Sequence, residues 1–181
     1  VAWVRPVLGP VLAAMRLATD KPFKVNINAG PASVASWCED QYYGDAAALR
    51  HDIAEAFNAE LRWLAGHGAG VIQVTEQAYL ASEGRDGWVL DMMTRAARDV
   101  DAHLVWHMCY GNARGQDSAF PATNARCLEQ LFGSGGPAGW NEIHLETARP
   151  GMVEVELLAG WTDRPERQLG IGVIEVLNPH V

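Results

Sequence analysis

Short apolar runs alternate along the chain with longer stretches of helical periodicity. The first run, residues 24–28, reads Lys-Val-Asn-Ile-Asn and leads into Ala29-Gly30-Pro31, where the chain must turn sharply. From Asp45, a residue suited to an N-cap, Leu49, Ile53, Ala56, Phe57, Leu61 and Leu64 recur at helical spacing, and Gly66 and Gly68 end the run. That pattern predicts a long amphipathic helix. Residues 71–74, Val-Ile-Gln-Val, are too short for a helix and β-branched, as befits a strand covered on both sides, and they exit into Thr75-Glu76. A second helix is predicted over 88–99 and a third strand over 102–107. After a loop-like stretch, a helix over 124–132 and a break at 133–137, a fourth strand is predicted over 142–146. A short helix around 152–158 then precedes a fifth strand over 170–176.

Strands alternating with helices imply a parallel sheet with right-handed crossovers, either doubly wound or closed into a barrel. No Gly-x-Gly-x-x-Gly follows the first strand and no Gly-x-x-x-x-Gly-Lys-Ser/Thr occurs, so a nucleotide-binding doubly wound fold loses support. The expected fold is therefore α/β, a (β/α)8 barrel of the TIM type, of which this chain supplies about five strands. Residues 1–181 are read as a single partial barrel domain.

A net charge of −8 with 14 basic residues scattered along the chain argues against a nucleic-acid surface, which needs clustered Lys and Arg. No apolar run reaches 20 residues and no signal peptide is recognisable, so a soluble cytoplasmic protein with no membrane partner is the simplest expectation. Three cysteines, Cys38, Cys109 and Cys127, are too few and too dispersed for a disulfide framework. Cys38 and Cys127 are read as small buried apolar residues.

In a barrel, chemistry gathers where strands pass into loops at their carboxyl ends. The exits here carry Asn28, Thr75 with Glu76, His107 with Cys109, Glu146 with Thr147, and Glu175. Polar strand ends are ordinary because they meet water, but that does not select His, Cys and Glu together. Residues two apart on a strand point to one side, so His107 and Cys109 can face a common point, to which Glu146 on the next strand can add a carboxylate. Imidazole, thiolate and carboxylate are zinc ligands. Taken alone, His-x-Cys equally suits a partly buried histidine beside a core cysteine.

The surrounding sequence separates those readings. His107-Met108-Cys109-Tyr110, the element Glu146-Thr147-Ala148-Arg149, and Gly-Ile-Gly-Val-Ile-Glu-Val over 170–176 occur in the order of three motifs of the C-terminal barrel of the cobalamin-independent methionine synthases. Thr19-Asp20-Lys21-Pro22 leading to Gly30-Pro31, and the segment 70–78, Gly-Val-Ile-Gln-Val-Thr-Glu-Gln-Ala, resemble further segments of that family. The five elements span most of the chain. The resemblance implies a zinc site with His107, Cys109 and Glu146 as ligands, completed in the family by a second cysteine nearer the C-terminus. It implies transfer of a methyl or other alkyl group to a thiol, with a small-molecule thiol acceptor and an alkyl donor as partners. Thr75 and Glu76, at the second exit, are the candidate catalytic pair.

Three departures stand out. No cysteine follows the glycine-rich strand within these residues. Thr75 stands where folate-using members have aspartate, and Leu177 where they have a histidine, so no general acid is evident for an amine leaving group. The Gly-Ile-Gly-Val-Ile-Glu-Val ending is similar to a sister branch that includes short homologues and epoxyalkane:coenzyme M transferases. A non-catalytic half-barrel that needs a complementing chain, or pairs as a homo-oligomer, is a further alternative, as is a zinc hydrolase. His103, His144 and Glu142 share strand faces with the proposed ligands, as supporting partners of the metal or as structural residues. His51, His67 and His180 read as surface or loop residues.

Overall fold

A computed structural model describes residues 1–82, 87–109, 127–128, 131, 136–147 and 168–173. Among the described residues, five helices and five strands with described bounds run in the order α1 (Gly9–Ala18), β1 (Lys24–Ile27), α2 (Pro31–Trp37), α3 (Ala46–Gly66), β2 (Val71–Thr75), α4 (Ala78–Ala81), α5 (Gly87–Ala97), β3 (His103–Met108), β4 (Glu142–Glu146) and β5 (Gln168–Gly172). All strand pairs are parallel, and the sheet order is β1-β2-β3-β4-β5. A doubly wound sheet reverses its strand order at a switch point, whereas this one steps in a single direction, as the wall of a barrel does.

The long helix α3 begins where the sequence indicated. Asp45 is its N-cap, its carboxylate accepting from the backbone N–H of Ala47 (2.8 Å) and Ala48 (3.3 Å). The helix ends through Gly68, whose φ of +88° is costly for any residue with a Cβ. Asn58, buried on α3, donates its amide to the carbonyls of Ala96 (2.9 Å) and Arg98 (2.7 Å) and so satisfies the C-terminal end of α5. Glu55 reinforces that packing by ion pairs with Arg95 and Arg98, each at 3.0 Å.

Three helices, α1, α2 and the single turn α4, lie outside the elements expected from sequence. Helix α1 has Pro10 in its first turn and good helix formers after it. Helix α2 starts at Pro31, a residue read as a turn. Proline costs nothing at the first helical position, where its missing N–H has no partner to lose, so the turn and the helix start coincide. Strand β5 begins two residues earlier than expected. The expected helix over 152–158, residues 174–176 and Leu177 lie outside the described residues, as does most of the helix over 124–132. Cys38 is exposed rather than buried, because it is the C-cap of α2, beyond the last residue that packs. Cys127 is buried as expected, and His51 and His67 are exposed.

The core lies between the sheet and its helices. Val25, Ile72, Val74, Leu104, Trp106, Met108, Ile143 and Leu145, all on one face of the strands, pack with Leu49, Ile53, Leu61, Val89 and Met93 of α3 and α5. Trp106 is fully buried, and its indole N–H is satisfied by the Glu76 carbonyl at 3.1 Å. No described helix is long and apolar enough to cross a membrane.

Candidate metal centre at the strand ends

The strand register decides which side chains share the other face. Thr75 pairs with His107, and His107 with His144, while His144 in turn pairs with Gly170. Side chains alternate, so the residues two away in each strand join them: Gln73 on β2, Val105 on β3, Glu142 and Glu146 on β4. On β1, Lys24 and Asn26 lie on this face as well. In a closed barrel this face becomes the interior, which branched apolar side chains ordinarily fill. Here it is mostly polar, and the polar groups satisfy one another. Lys24 donates to Gln73 (2.6 Å), the Gln73 amide to Asn26 (3.2 Å), and the Asn26 amide to Asn28 (2.6 Å). His103 Nε2 lies 3.2 Å from Glu142.

His107 and His144 meet toward the carboxyl ends of the strands. Their Nδ1 atoms are 3.2 Å apart and their rings are tilted by 53°. Burial, then the neighbouring His144 and Lys24, push the His107 imidazole down to about 4, so it is neutral at pH 7. Burial and Lys24 also hold His144 below the usual histidine range, with Glu142 pulling the other way. Neutral imidazoles with an available lone pair are the form that binds metal.

Cys109 lies immediately beyond β3, half-buried, and its Sγ is hydrogen-bonded by the side-chain amide of Gln77. Continuing the pairing of Met108 with Leu145 by one step sets Cys109 across from Glu146. Thr147, fully buried, anchors the end of β5 by donating its hydroxyl to the Gly172 carbonyl at 2.8 Å. His107 and Glu146 thus lie on one face of β3 and β4 toward their carboxyl ends, with Cys109 just beyond β3.

Thr75 shares that face, but Glu76 does not. Its carboxylate turns to the helix side, where it is fully buried. One oxygen accepts from the backbone N–H of Ser33 (2.8 Å), the other from the Ser33 hydroxyl (2.5 Å) and the Ala78 N–H (2.7 Å). Gly30 is required beside it, since a Cβ there would come within 2.4 Å of the carboxylate. Glu76 thus joins α2 and α4 to the end of β2 and is oriented to hold the strand exit in place rather than to meet a substrate on the concave face. The cause is the two-residue period of the strand, which turns adjacent residues to opposite sides.

The donor types at the strand ends suit zinc: nitrogen, sulfur and carboxylate oxygen. Their arrangement is partial. Among the described residues no group of three or more His, Cys, Asp or Glu side chains converges closely enough to hold an ion. Two imidazoles have met, and Cys109 is turned to Gln77. Gln77 and the contact between His107 and His144 were not foreseen. The first had no sequence signal, and the second needed the register between strands, although the shared face of His144 was visible in its spacing from Glu146.

Comparison with known proteins gives consistent results. The chain is 25% identical over 182 residues to a methionine synthase of Sulfurisphaera tokodaii, an alignment covering 100% of this chain and 48% of that protein. A methionine synthase of Pyrococcus furiosus is 27% identical over 152 residues, covering 84% of this chain and 40% of the relative. One from Saccharolobus solfataricus is 35% identical over 83 residues, 46% of this chain and 25% of its own length. The chain thus spans about half the length, or less, of these curated relatives. No protein-family model matches it. Among solved structures, a B12-independent methionine synthase from Shewanella sp. W3-18-1, determined in complex with selenomethionine, superimposes with a TM-score of 0.74 at 20% identity, covering 97% of this chain and 51% of that one. That likeness establishes the fold as part of a TIM-type barrel.

Proposed function

This chain is a relative of the cobalamin-independent methionine synthases, and on that premise we propose that it carries the metal-binding half of a zinc-dependent transferase that moves a methyl or other alkyl group onto a thiol. The observation that supports this reading best is the common placement of His107, Cys109 and Glu146 on the concave face at the carboxyl ends of β3 and β4. These three residues would hold the ion. Zinc bound there would keep an acceptor thiol as its thiolate at neutral pH, the nucleophilic form.

The chain's own groups contribute the rest. Burial keeps His107 neutral, so its nitrogen presents a lone pair and no proton has to leave before it can ligate. The Gln77 amide orients the Cys109 sulfur. Thr75 stands beside His107 in the register and offers a hydroxyl to whatever lies over the strand ends, whereas Glu76 fixes the exit from behind. Neither supplies a general acid on the concave face. The chemistry therefore favours an alkyl donor whose leaving group needs no strong general acid, as in the branch that includes epoxyalkane:coenzyme M transferases.

The test is zinc content together with thiol alkylation. Purified protein is expected to hold one zinc per chain, and His107→Ala or Cys109→Ser to lose both the metal and the activity. Alkylation by metal-free protein would overturn the reading.

A second reading is favoured by the sheet edges. An eight-stranded barrel needs strands beyond the described five, and an apolar hollow of about 500 Å³ lies between the N-terminal segment (Trp3), the end of β1 (Ile27) and α3 (Phe57). On this reading, strands outside the described residues would close the sheet, supplied by a longer chain or by a complementing copy. Light scattering on the 181-residue chain separates these: a stable monomer with a cooperative unfolding transition counts against the complementing copy.

A further inference from the structure

The side-chain amides at β1 form a chain whose direction is fixed at one end. Lys24, Asn26 and Asn28 lie two residues apart on the concave face, and Gln73 is the register partner of Asn26 on β2. The Lys24 ammonium has donors and no acceptor, so Gln73 must turn its carbonyl oxygen to it, at 2.6 Å. That leaves the Gln73 amide to donate to the Asn26 oxygen (3.2 Å), and the Asn26 amide to donate to the Asn28 oxygen (2.6 Å). Each step sets the next amide the same way, with its oxygen on the Lys24 side. The chain ends on the Asn28 side-chain amide nitrogen, whose N–H groups have no partner among the described residues.

Asn28 stands at the end of the sheet where barrels of this type bind their substrates. It follows β1 directly. Continuing the pairing of Ile27 with Val74 by one step sets it across from Thr75, which pairs in turn with His107. Asn28, Thr75 and His107 therefore form a row across the carboxyl ends of three strands. Asn28 is exposed and borders the hollow of about 500 Å³, so there is room beside its amide. Arg5 lines the same hollow. The hollow's carboxylate, Glu60, is already taken by the indole N–H of Trp3 and the backbone N–H groups of Val7 and Leu8. Donors thus gather at the β1 end of the row, whereas the carboxylates of Glu142 and Glu146 belong to β4, on the far side of β2 and β3.

We propose that the Asn28 side-chain amide binds the acidic group, a carboxylate or similar oxyanion, of the thiol acceptor. This rests on the thiol-transfer reading above and gives its acceptor a chemical class. The Lys24 charge polarises the amide chain in the sense that strengthens its last donor. The acidic group is assigned to the acceptor because the row leads from Asn28 to His107, with Cys109 just beyond, the groups that reading gives to the thiol. Strands lie about 4.7–4.9 Å apart, so Asn28 and His107 are separated by about 9–10 Å along the row. Allowing about 3 Å for the hydrogen bond, the bridging molecule spans about 6–7 Å, the length of a thiol and an acid joined by roughly three carbons.

The test compares 4-mercaptobutyrate with 4-mercaptobutanol, which differ only at the end remote from sulfur, by calorimetric titration of the zinc-treated 181-residue protein. The acid is expected to bind about tenfold more tightly than the alcohol, the scale of one hydrogen bond to a charged group. Asn28→Leu should abolish that preference, and Asn28→Asp, which puts a carboxylate where the donor stood, should reverse it. Lys24→Met keeps Asn28 but lets the amides turn over, and is expected to lose part of the preference. Equal affinities for acid and alcohol in a protein that has bound zinc overturn this inference and leave the zinc reading standing. A preference unchanged in Asn28→Leu overturns it as well. Butyrate binding as tightly as the mercapto acid would overturn the assignment to the thiol and move the acidic group to the alkyl donor. An Asn28-dependent preference in a chain that takes up no zinc would support the contact and remove the zinc reading.

Discussion

On the helix-covered face of the sheet, Ile72, Val74, Leu104, Trp106 and Leu145 have no contact with solvent, and the indole of Trp106 has its single donor satisfied. The opposite face of the same strands presents Lys24, Gln73, His107, His144 and Glu146, none packed into that core and most joined to a polar neighbour. One face is built by removing apolar surface from water, which is tolerant of direction and intolerant of voids. The other is built by hydrogen bonds and lone pairs, which tolerate water and depend on direction. A strand can serve both because its side chains alternate, and Thr75 and Glu76 show how sharp the division is: neighbours in sequence, one on the concave face and one sealed behind it.

The comparison breaks most easily on the apolar face. Trp106→Ala is expected to lower unfolding free energy by about 3–5 kcal/mol, the range for an aromatic removed from a closed core. Chemical denaturation should register it as a fall in midpoint. Glu76→Ala comes next. Its three hydrogen bonds are buried, and stranding the Ser33 and Ala78 donors should cost about 2–3 kcal/mol, again read by denaturation. If Glu76 served chemistry alone, the same variant would leave stability unchanged.

These first two positions also show what sequence could reveal. The alternation of strands and helices, the Asp45 cap and the bounds of β4 were legible, because each follows from periodicity or local capping chemistry within one segment. The direction of Glu76 was legible in principle from the same alternation that pairs Thr75 with Gln73, but its glutamate chemistry drew it toward the site instead. Helix α2 was hidden by Pro31, which marks a turn and a helix start with the same residue. The contacts of His107 with His144 and of Cys109 with Gln77 were out of reach, since they depend on how strands 37 and 32 residues apart fall into register and loop beside one another.

On the polar face the expected effects are smaller. Gly170→Ala forces a methyl group toward His144 and Glu142 and should cost about 1–3 kcal/mol, with a loss of metal affinity that a core substitution of equal cost would not cause. Acid should act through His107. Its value in the folded protein, about 4, lies below the ordinary 6.5, so the unfolded chain takes up the proton first. Stability is therefore expected to fall as pH drops from about 6.5 toward 4 and to be level in this respect above that window. In His107→Ala this part of the slope should disappear. Smallest is Lys24→Met, which should shift stability by no more than about 0.5 kcal/mol, since the lysine is exposed. It should nevertheless raise the pKa of both His107 and His144, an effect that imidazole titration by NMR resolves.

The division between the two faces matters for function only if the polar one holds an ion. Zinc analysis of the purified 181-residue chain, alongside His107→Ala and Trp106→Phe, tests that most directly. The account expects one zinc per chain in the unaltered protein and in Trp106→Phe, and none in His107→Ala. Equal zinc in all three, or none in any, would contradict it.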